Sequence, residues 1–426
     1  MTTPRPLRLA LIGLSSTSPS SWLSLAHLPY LLSPHGLARY QIIALLNSSL
    51  SSAAAAISHY GLDPSIVRPY GSAEDLAQER EVDLVVVGTR VDVHYGNLKP
   101  LLEGWRDWRR GDGKGLRMGQ MKKRGVYWGV RTVVGTQGWG SPVVKKIRDV
   151  LGSKEGKLGK VLSTELRISG MTGDREKLGE KMAYFAERKV GGNLWTIGGG
   201  HMIDLLQSLL GELKPESIKS HLTLQRPLIP LTDSSGAITK TITSNTPDLL
   251  YLTGSLPASP PPPSSSSSSS TPPSISSLSL SPSSPPPGVV PVQENATLHL
   301  RMRRGPPFPG EPAFVWSITC ERGEVRVTSD DSIAIILGTG DVKIEVHDFE
   351  TDEVEEVEWE WEDWQKELPG PARNVGSVYE GLWEAWVNNE EGGQGPKGEG
   401  KKRYNDWEVA RRRHELVERA FVESGF

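Results

Sequence analysis

The sequence predicts an α/β domain on a parallel sheet, followed by an α+β domain whose sheet is largely antiparallel and carries helices on one face. Three observations predict it. Short apolar runs alternate with segments of helical spacing up to about residue 152. Strict two-residue alternation then takes over through much of 153–426. Long helical patterns flank those alternating runs, the arrangement of an antiparallel sheet covered on one side.

In the first part, Leu7–Ile12 is an apolar run ending in Gly13, and Trp22–Leu32 has helical spacing. Gln41–Leu46 reads as a second strand, and the alanine-rich Ser52–Tyr60 as a helix stopped by Gly61. Ser72 is placed to cap a short helix whose first turn carries Glu74 and Asp75. Val82–Val87 is a third strand, His94–Leu102 a helix ended by Gly104, Arg131–Val134 a further strand and Val143–Leu151 a further helix. Repeated β-α units of this length imply right-handed crossovers, with the ligand at the carboxyl ends of the strands. This is the pattern of a Rossmann-like domain over 1–152.

In the second part, strands are expected at Lys160–Ile168, Ile218–Leu224, Ala296–Met302, Val315–Thr319, Val325–Thr328, Ile333–Leu337 and Val342–Val346. Helices are expected at Leu194–Leu210, Val375–Val387 and Tyr404–Phe421. Within 257–291 the Pro/Ser composition cannot bury a core, so this stretch reads as a disordered insert between two strands.

Composition excludes several classes. With 48 basic and 51 acidic residues the net charge is −3, which argues against direct nucleic-acid binding. A lone cysteine, Cys320, rules out an internal disulfide framework and fits a reducing compartment. No apolar run approaches the roughly 20 residues of a membrane helix, and the start reads poorly as a secretory signal. A cytoplasmic or nuclear location is therefore the expectation, without a membrane or metal partner.

The chemical motifs gather at the strand ends. Gly13 opens the loop Gly13-Leu-Ser-Ser-Thr-Ser18 after the first strand. A dinucleotide turn needs glycine for tightness and close phosphate approach, and only the first of its glycines is present. Gly13, Leu14, Ser15 and Ser16 are the expected phosphate-binding residues, the serines supplying hydroxyl donors at a helix N-terminus. At the end of the second strand stand Asn47 and Ser48, where an acid would bind the ribose hydroxyls. Without that acid a 2′-phosphate is not repelled, so NAD and NADP both remain open. Thr89, Arg90 and His94 follow the third strand at the same rim, where Arg90 can reach a phosphate. Asp92 and His94 also have plain structural readings, as a helix cap and a packed histidine.

Taken together, these stretches resemble the glucose–fructose oxidoreductase (Gfo/Idh/MocA) superfamily, and within it the fungal galactose-regulon repressors. The resemblance rests on Ile12-Gly-Leu-Ser-Ser16, His27-Leu-Pro-Tyr30, Ala44-Leu-Leu-Asn-Ser-Ser49 and Val82–Val87 with Thr89-Arg-Val-Asp92. It resumes at Gly135-Thr-Gln-Gly-Trp139, Gly191-Gly-Asn193, Gly200-His-Met-Ile-Asp204 and Tyr404-Asn-Asp-Trp-Glu408.

The resemblance implies a nicotinamide cofactor and, in the enzymes, a lysine and a histidine that deprotonate a hydroxyl as hydride leaves. His201 matches the histidine and Asp204 the acid after it, but Ile197 stands where the enzymes carry an aspartate four residues earlier. The Glu-Lys-Pro segment of the enzymes is missing, and a basic, glycine-rich stretch at 105–124 occupies its place. That stretch reads as a surface loop, a basic patch for an acidic partner, or the trace of a reading-frame or splicing error. The abrupt return of family-like sequence near 126–134 favours the last.

Two functions follow. One is a depleted, cofactor-responsive regulator, dimeric through its second domain, that holds an acidic activation-domain peptide in its cleft. The other is an NAD(P)-dependent oxidoreductase acting on a sugar or polyol, with His201 as the remaining acid–base group.

Overall fold

The computed structural model describes residues 5–18, 21–111, 132–152, 157–171, 173–259, 290–390 and 405–426. The first sheet is parallel, with strands β1 (Leu7–Ile12), β2 (Tyr40–Leu46), β3 (Arg68–Tyr70) and β4 (Leu84–Val87) in the order β3-β2-β1-β4. The chain winds outward from β1 to β3 and then crosses to the other side for β4. The carboxyl ends of β1 and β4 therefore flank the point where strand order reverses, the crevice in which open α/β sheets hold ligands.

The helix Leu50–His59 begins at Ser49 through a capping box with Ser52 and ends before Gly61 at φ +62°. Ser72 caps the turn Ala73–Leu76, its Oγ accepting from Asp75 N at 3.1 Å. Two sequence expectations fail in this region. Gly104 does not end a helix; His94–Gly111 runs through it. A Cβ on Gly104 would lie 3.1 Å from Ala77 Cβ, so glycine there serves close packing rather than termination. The strand expected at Arg131–Val134 is also absent, since 132–136 is irregular and Arg131 lies outside the described residues. Val134 N donates instead to Asn405 O (2.8 Å), and Thr132 Oγ1 accepts from Trp407 N (3.1 Å). The C-terminal segment takes up the polar groups that a strand would have paired. The rest of the basic stretch, 112–131, lies outside the described residues.

The second part follows in chain order as β5 (Val161–Gly170), β6 (Leu178–Gly179), β7 (Lys219–Thr223), β8 (Leu228–Thr232), β9 (Ile238–Thr243), β10 (Leu249–Leu256), β11 (Val292–Arg304), β12 (Phe314–Cys320), β13 (Gly323–Ser329), β14 (Lys343–Asp348) and β15 (Val354–Glu356). Eight of these form one sheet, β15-β14-β13-β12-β5-β11-β10-β7, antiparallel throughout except for the central β5–β11 pair. One face buries Leu166, Leu300, Met302, Trp316 and Val327 against Trp195 and Leu206, and against Val417 and Phe421 of helix Trp407–Glu423. The 260–289 part of the Pro/Ser insert lies outside the described residues, and the strands that flank it are β10 and β11.

Ile333–Leu337, expected as a strand, is a helical turn at Ala334–Leu337. Asp331 Oδ1 accepts from Ile333 N, and Gly338 at φ +66° closes the turn, so local capping overrides β propensity. Helix Gly370–Glu390 leaves the second sheet altogether. Its Ala372, Val375 and Tyr379 pack with Leu9 and Tyr40 of the first sheet and with Leu23 and Tyr30 of the helical segment after β1.

Candidate functional site

Gly13 sits just past β1 with φ +96°, a left-handed conformation that favours glycine. A Cβ there would lie 2.4 Å from Thr89 Cγ2, so glycine lets the loop after β1 close on the loop after β4. Ser15 Oγ accepts from Thr17 N and Ser18 N (3.2 and 3.0 Å), folding the serine loop on itself. Tyr60 OH donates to Ser15 O at 2.6 Å, and Asn47 Nδ2 donates to Leu14 O (2.9 Å) and Ser52 O (3.2 Å). Leu14 is fully buried, Ser16 half-buried and Ser48 exposed.

On the facing loop, His94 Nε2 lies 2.7 Å from Thr89 O and orients that carbonyl. Thr89 Oγ1 is buried and has no hydrogen-bond partner among the described residues. A buried hydroxyl costs stability unless a partner meets it, so this atom marks a place for a polar ligand. The Arg90 guanidinium is bidentate on Asp92 (2.7 and 2.6 Å) and lies 6.0 Å from the Tyr184 ring. That pairing holds the Asp92 carboxyl below its ordinary range, and Asp92 is an arginine partner rather than a helix cap. The structure thus gathers Gly13, Leu14, Ser15, Asn47, Thr89 and His94 at one rim. Tyr60, which the sequence reading missed, is the clamp that fixes Ser15.

His201 occupies a different setting. It begins helix Gly200–Leu210, directly after a π-helical segment, Leu194–Gly199, that Asn193 caps through Trp195 N and Thr196 N. Such π segments recur at functional sites. His201 Nδ1 is buried without a partner among the described residues, and burial lowers its pKa to about 4. The ring is therefore neutral near pH 7.

Asp204, one turn on, is spent elsewhere. Asn405 Nδ2 donates to both of its carboxylate oxygens (2.8 Å each) and to Thr136 Oγ1, while Arg413 Nε stands 3.5 Å away. Burial pushes the Asp204 pKa up to about 6, with Arg413 opposing. Arg413 also pairs with Glu212. The carboxylate fastens the C-terminal helix to helix Gly200–Leu210 and is turned away from service to the histidine. Lys99 and Pro100 lie within helix His94–Gly111. Among the described residues no group of three or more His, Cys, Asp or Glu could hold a metal ion, and no helix is long and apolar enough to cross a membrane.

Residues 142–277 match the family model of the Gal80p C-terminal domain. In sequence the chain is similar both to galactose repressors and to a dehydrogenase. The GAL80 galactose/lactose metabolism regulatory protein of Kluyveromyces lactis is 27% identical over 269 residues, 59% of this chain and 56% of that protein. The dehydrogenase aclE of Aspergillus oryzae is 28% identical over 254 residues, 59% of this chain and 67% of that protein. The alignments thus span roughly half to two thirds of these relatives' lengths. In fold, a super-repressor mutant of Saccharomyces cerevisiae Gal80p superposes with a TM-score of 0.71 at 18% identity, covering 99% of this chain and 96% of that one. Levoglucosan dehydrogenase in complex with NADH and levoglucosan superposes at 0.57 with 13% identity, covering 99% and 98%.

Proposed function

We propose that this protein is a dinucleotide-binding regulator of the galactose-repressor type, with its redox chemistry largely lost. The observation that carries this reading is the commitment of Asp204 to Asn405 and Arg413, with Ile197 at the position of the enzymes' acid. An acid–base histidine needs a group to orient it and set its tautomer, and His201 Nδ1 has no such partner among the described residues. The nucleotide rim fits a ligand better. Gly13 closes tightly on Thr89, the serine loop is fixed by Tyr60, and Thr89 Oγ1 awaits a partner.

In this reading Gly13, Leu14, Ser15 and Ser16 hold the pyrophosphate and Thr89 bonds the nicotinamide half. Asn47 and Ser48 face the adenosine ribose without discriminating NAD from NADP. Arg90 and His94 support the rim through Asp92 and Thr89 O. When bound, the cofactor supplies hydride exchange in the enzymes; here its occupancy signals to a protein partner. That partner presents an acidic activation-domain peptide to the cleft, and the protein acts as a homodimer.

A second reading, an oxidoreductase on a sugar or polyol, is favoured by one observation: the buried His201 Nδ1, without a partner among the described residues and free to pair with a substrate hydroxyl. Calorimetric titration of the full chain with NAD, NADH, NADP and NADPH tests the first reading. Saturable binding of at least one form supports it, and no heat at millimolar concentration overturns it.

A further inference from the structure

One corner of the large sheet, where β11 ends, gathers more arginines than acids. Arg301 and Arg303 lie on the same face of β11, opposite the helix-covered one. Arg303 Nη1 donates to the carbonyls of Arg304 (3.1 Å) and Gly305 (3.2 Å), and Arg175 Nη2 donates to Pro306 O at 3.3 Å. Both guanidiniums are thus pinned to one turn. Gly305 is at φ +80°, and a Cβ there would sit 2.3 Å from Arg175 Cγ. Arg226 reaches the same corner because its backbone N donates to Asp248 Oδ2 (2.8 Å), while Arg304 N donates to Asp248 O (3.0 Å).

Three acids stand in the corner, Asp174, Asp248 and Glu311. Asp174 Oδ1 accepts from Glu176 N and Lys177 N, and Asp248 accepts from Gln225 N and Arg226 N. Both also face Arg304. Glu311 stands 3.5 Å from Arg167. Five guanidiniums (Arg175, Arg226, Arg301, Arg303 and Arg304) thus face three carboxylates, an excess of positive charge. The side-chain hydrogen bonds of Arg175, Arg301 and Arg303 go to neutral carbonyls and the Tyr251 hydroxyl. Partial burial, with Arg301, Arg175 and Arg226 close by, lowers the Arg303 pKa from its ordinary value. Holding like charges together costs stability unless an anion meets them, and forked guanidiniums match the oxygens of a phosphate.

We infer that this corner is a binding site for a phosphate-ester dianion, with Arg175, Arg226, Arg301 and Arg303 as its donors. It is separate from the dinucleotide rim and does not depend on the function proposed above. The phosphate arrives either as a free metabolite or on a phosphorylated side chain, and Phe308, 70% exposed on the adjoining turn, offers an apolar contact beside it.

Calorimetric titration of the full chain with inorganic phosphate, and separately with a phosphoserine peptide, tests the site. Binding tighter than about 1 mM by either probe is expected, at least tenfold weaker in Arg303→Gln. Arg226→Gln, whose side chain has no described partner to lose, gives the same direction if Arg303→Gln folds poorly. Without ligand, both variants melt at or above the wild-type temperature, because a repulsion has been removed. Tighter binding of free phosphate assigns the site to a metabolite, and tighter binding of the peptide assigns it to a modified partner. No heat at about 10 mM overturns the inference. So does equal affinity in wild type and both variants, which is the signature of an adventitious ion only.

Discussion

The nucleotide rim and the His201 neighbourhood are built from similar side chains to opposite ends. At the rim, three polar side chains fix backbone: Tyr60 on Ser15 O, Asn47 on Leu14 O, His94 beside Thr89 O. Thr89 Oγ1, buried without a partner among the described residues, points to a ligand. Around His201 the polar side chains serve each other. Asp204, Asn405, Arg413 and Glu212 form a closed group that fastens the last helix, and the histidine is left alone. The difference teaches that ligand binding and acid–base chemistry can separate in one fold, because the first needs placed backbone and the second needs coupled side chains.

The largest expected effect breaks the closed group. Arg413→Ala strips the buried Asp204 of its guanidinium partner, and costs about 3–5 kcal/mol in chemical denaturation. The rim keeps its ligand in the fraction that remains folded. Loss of cofactor affinity with full stability would instead place Asp204 in the binding machinery.

Next, Gly13→Val imposes both an unfavourable φ and a clash with Thr89. It is expected to abolish dinucleotide binding and to lower stability by about 2–3 kcal/mol. Unchanged affinity in calorimetry would remove the rim from the account.

A third test uses acid. The Asp204 pKa is about 6 when folded, above its unfolded value, so the folded state binds the extra proton between about pH 6 and 4. Asp204 therefore penalises the fold above pH 6, and the penalty is relieved as pH falls. His27, hydrogen-bonded to Tyr379 OH (2.9 Å) and lowered to about 4 by burial, acts the other way. Its contribution is complete above pH 6.5 and is lost as pH falls towards 4. Asp204→Asn should steepen the fall in melting temperature between pH 6 and 4, and His27→Gln should flatten it. Identical profiles in the two variants would contradict both assignments.

The smallest effect is that of Tyr30→Phe, which removes the hydrogen bond from Tyr30 OH to Glu380 Oε1 (2.5 Å). It is expected to cost about 1–2 kcal/mol in denaturant titration without changing cofactor affinity.

Much of the first sheet was legible because buried parallel strands such as Leu7–Ile12 are continuous apolar runs, and because Gly61 and Ser72 mark helix ends locally. What failed was decided by distant partners. Residues 132–136 lost their strand to Asn405 and Trp407, more than 260 positions on. Helix Gly370–Glu390 was visible by its spacing, but its seat on the first sheet depends on Tyr379 stacking on Tyr30 at 5.2 Å. The β8–β9 hairpin escaped notice because β9 is nearly all exposed and shows no buried alternation. At the site, Gly13 and Thr89 could be named from sequence but not their contact. The missing partner of His201 was legible at Ile197, whereas the diversion of Asp204 to Asn405 required the fold.

The central claim is that binding survives where catalysis has gone. The most direct measurement mixes the protein with NAD or NADP and a panel of sugars and polyols, following protein fluorescence and reduced-nicotinamide absorbance in the same sample. Trp22, which lies 6.4 Å from His27 on the segment after the serine loop, is one reporter of binding. The account predicts saturable quenching with no growth of reduced cofactor. Steady turnover that disappears in His201→Ala would contradict it.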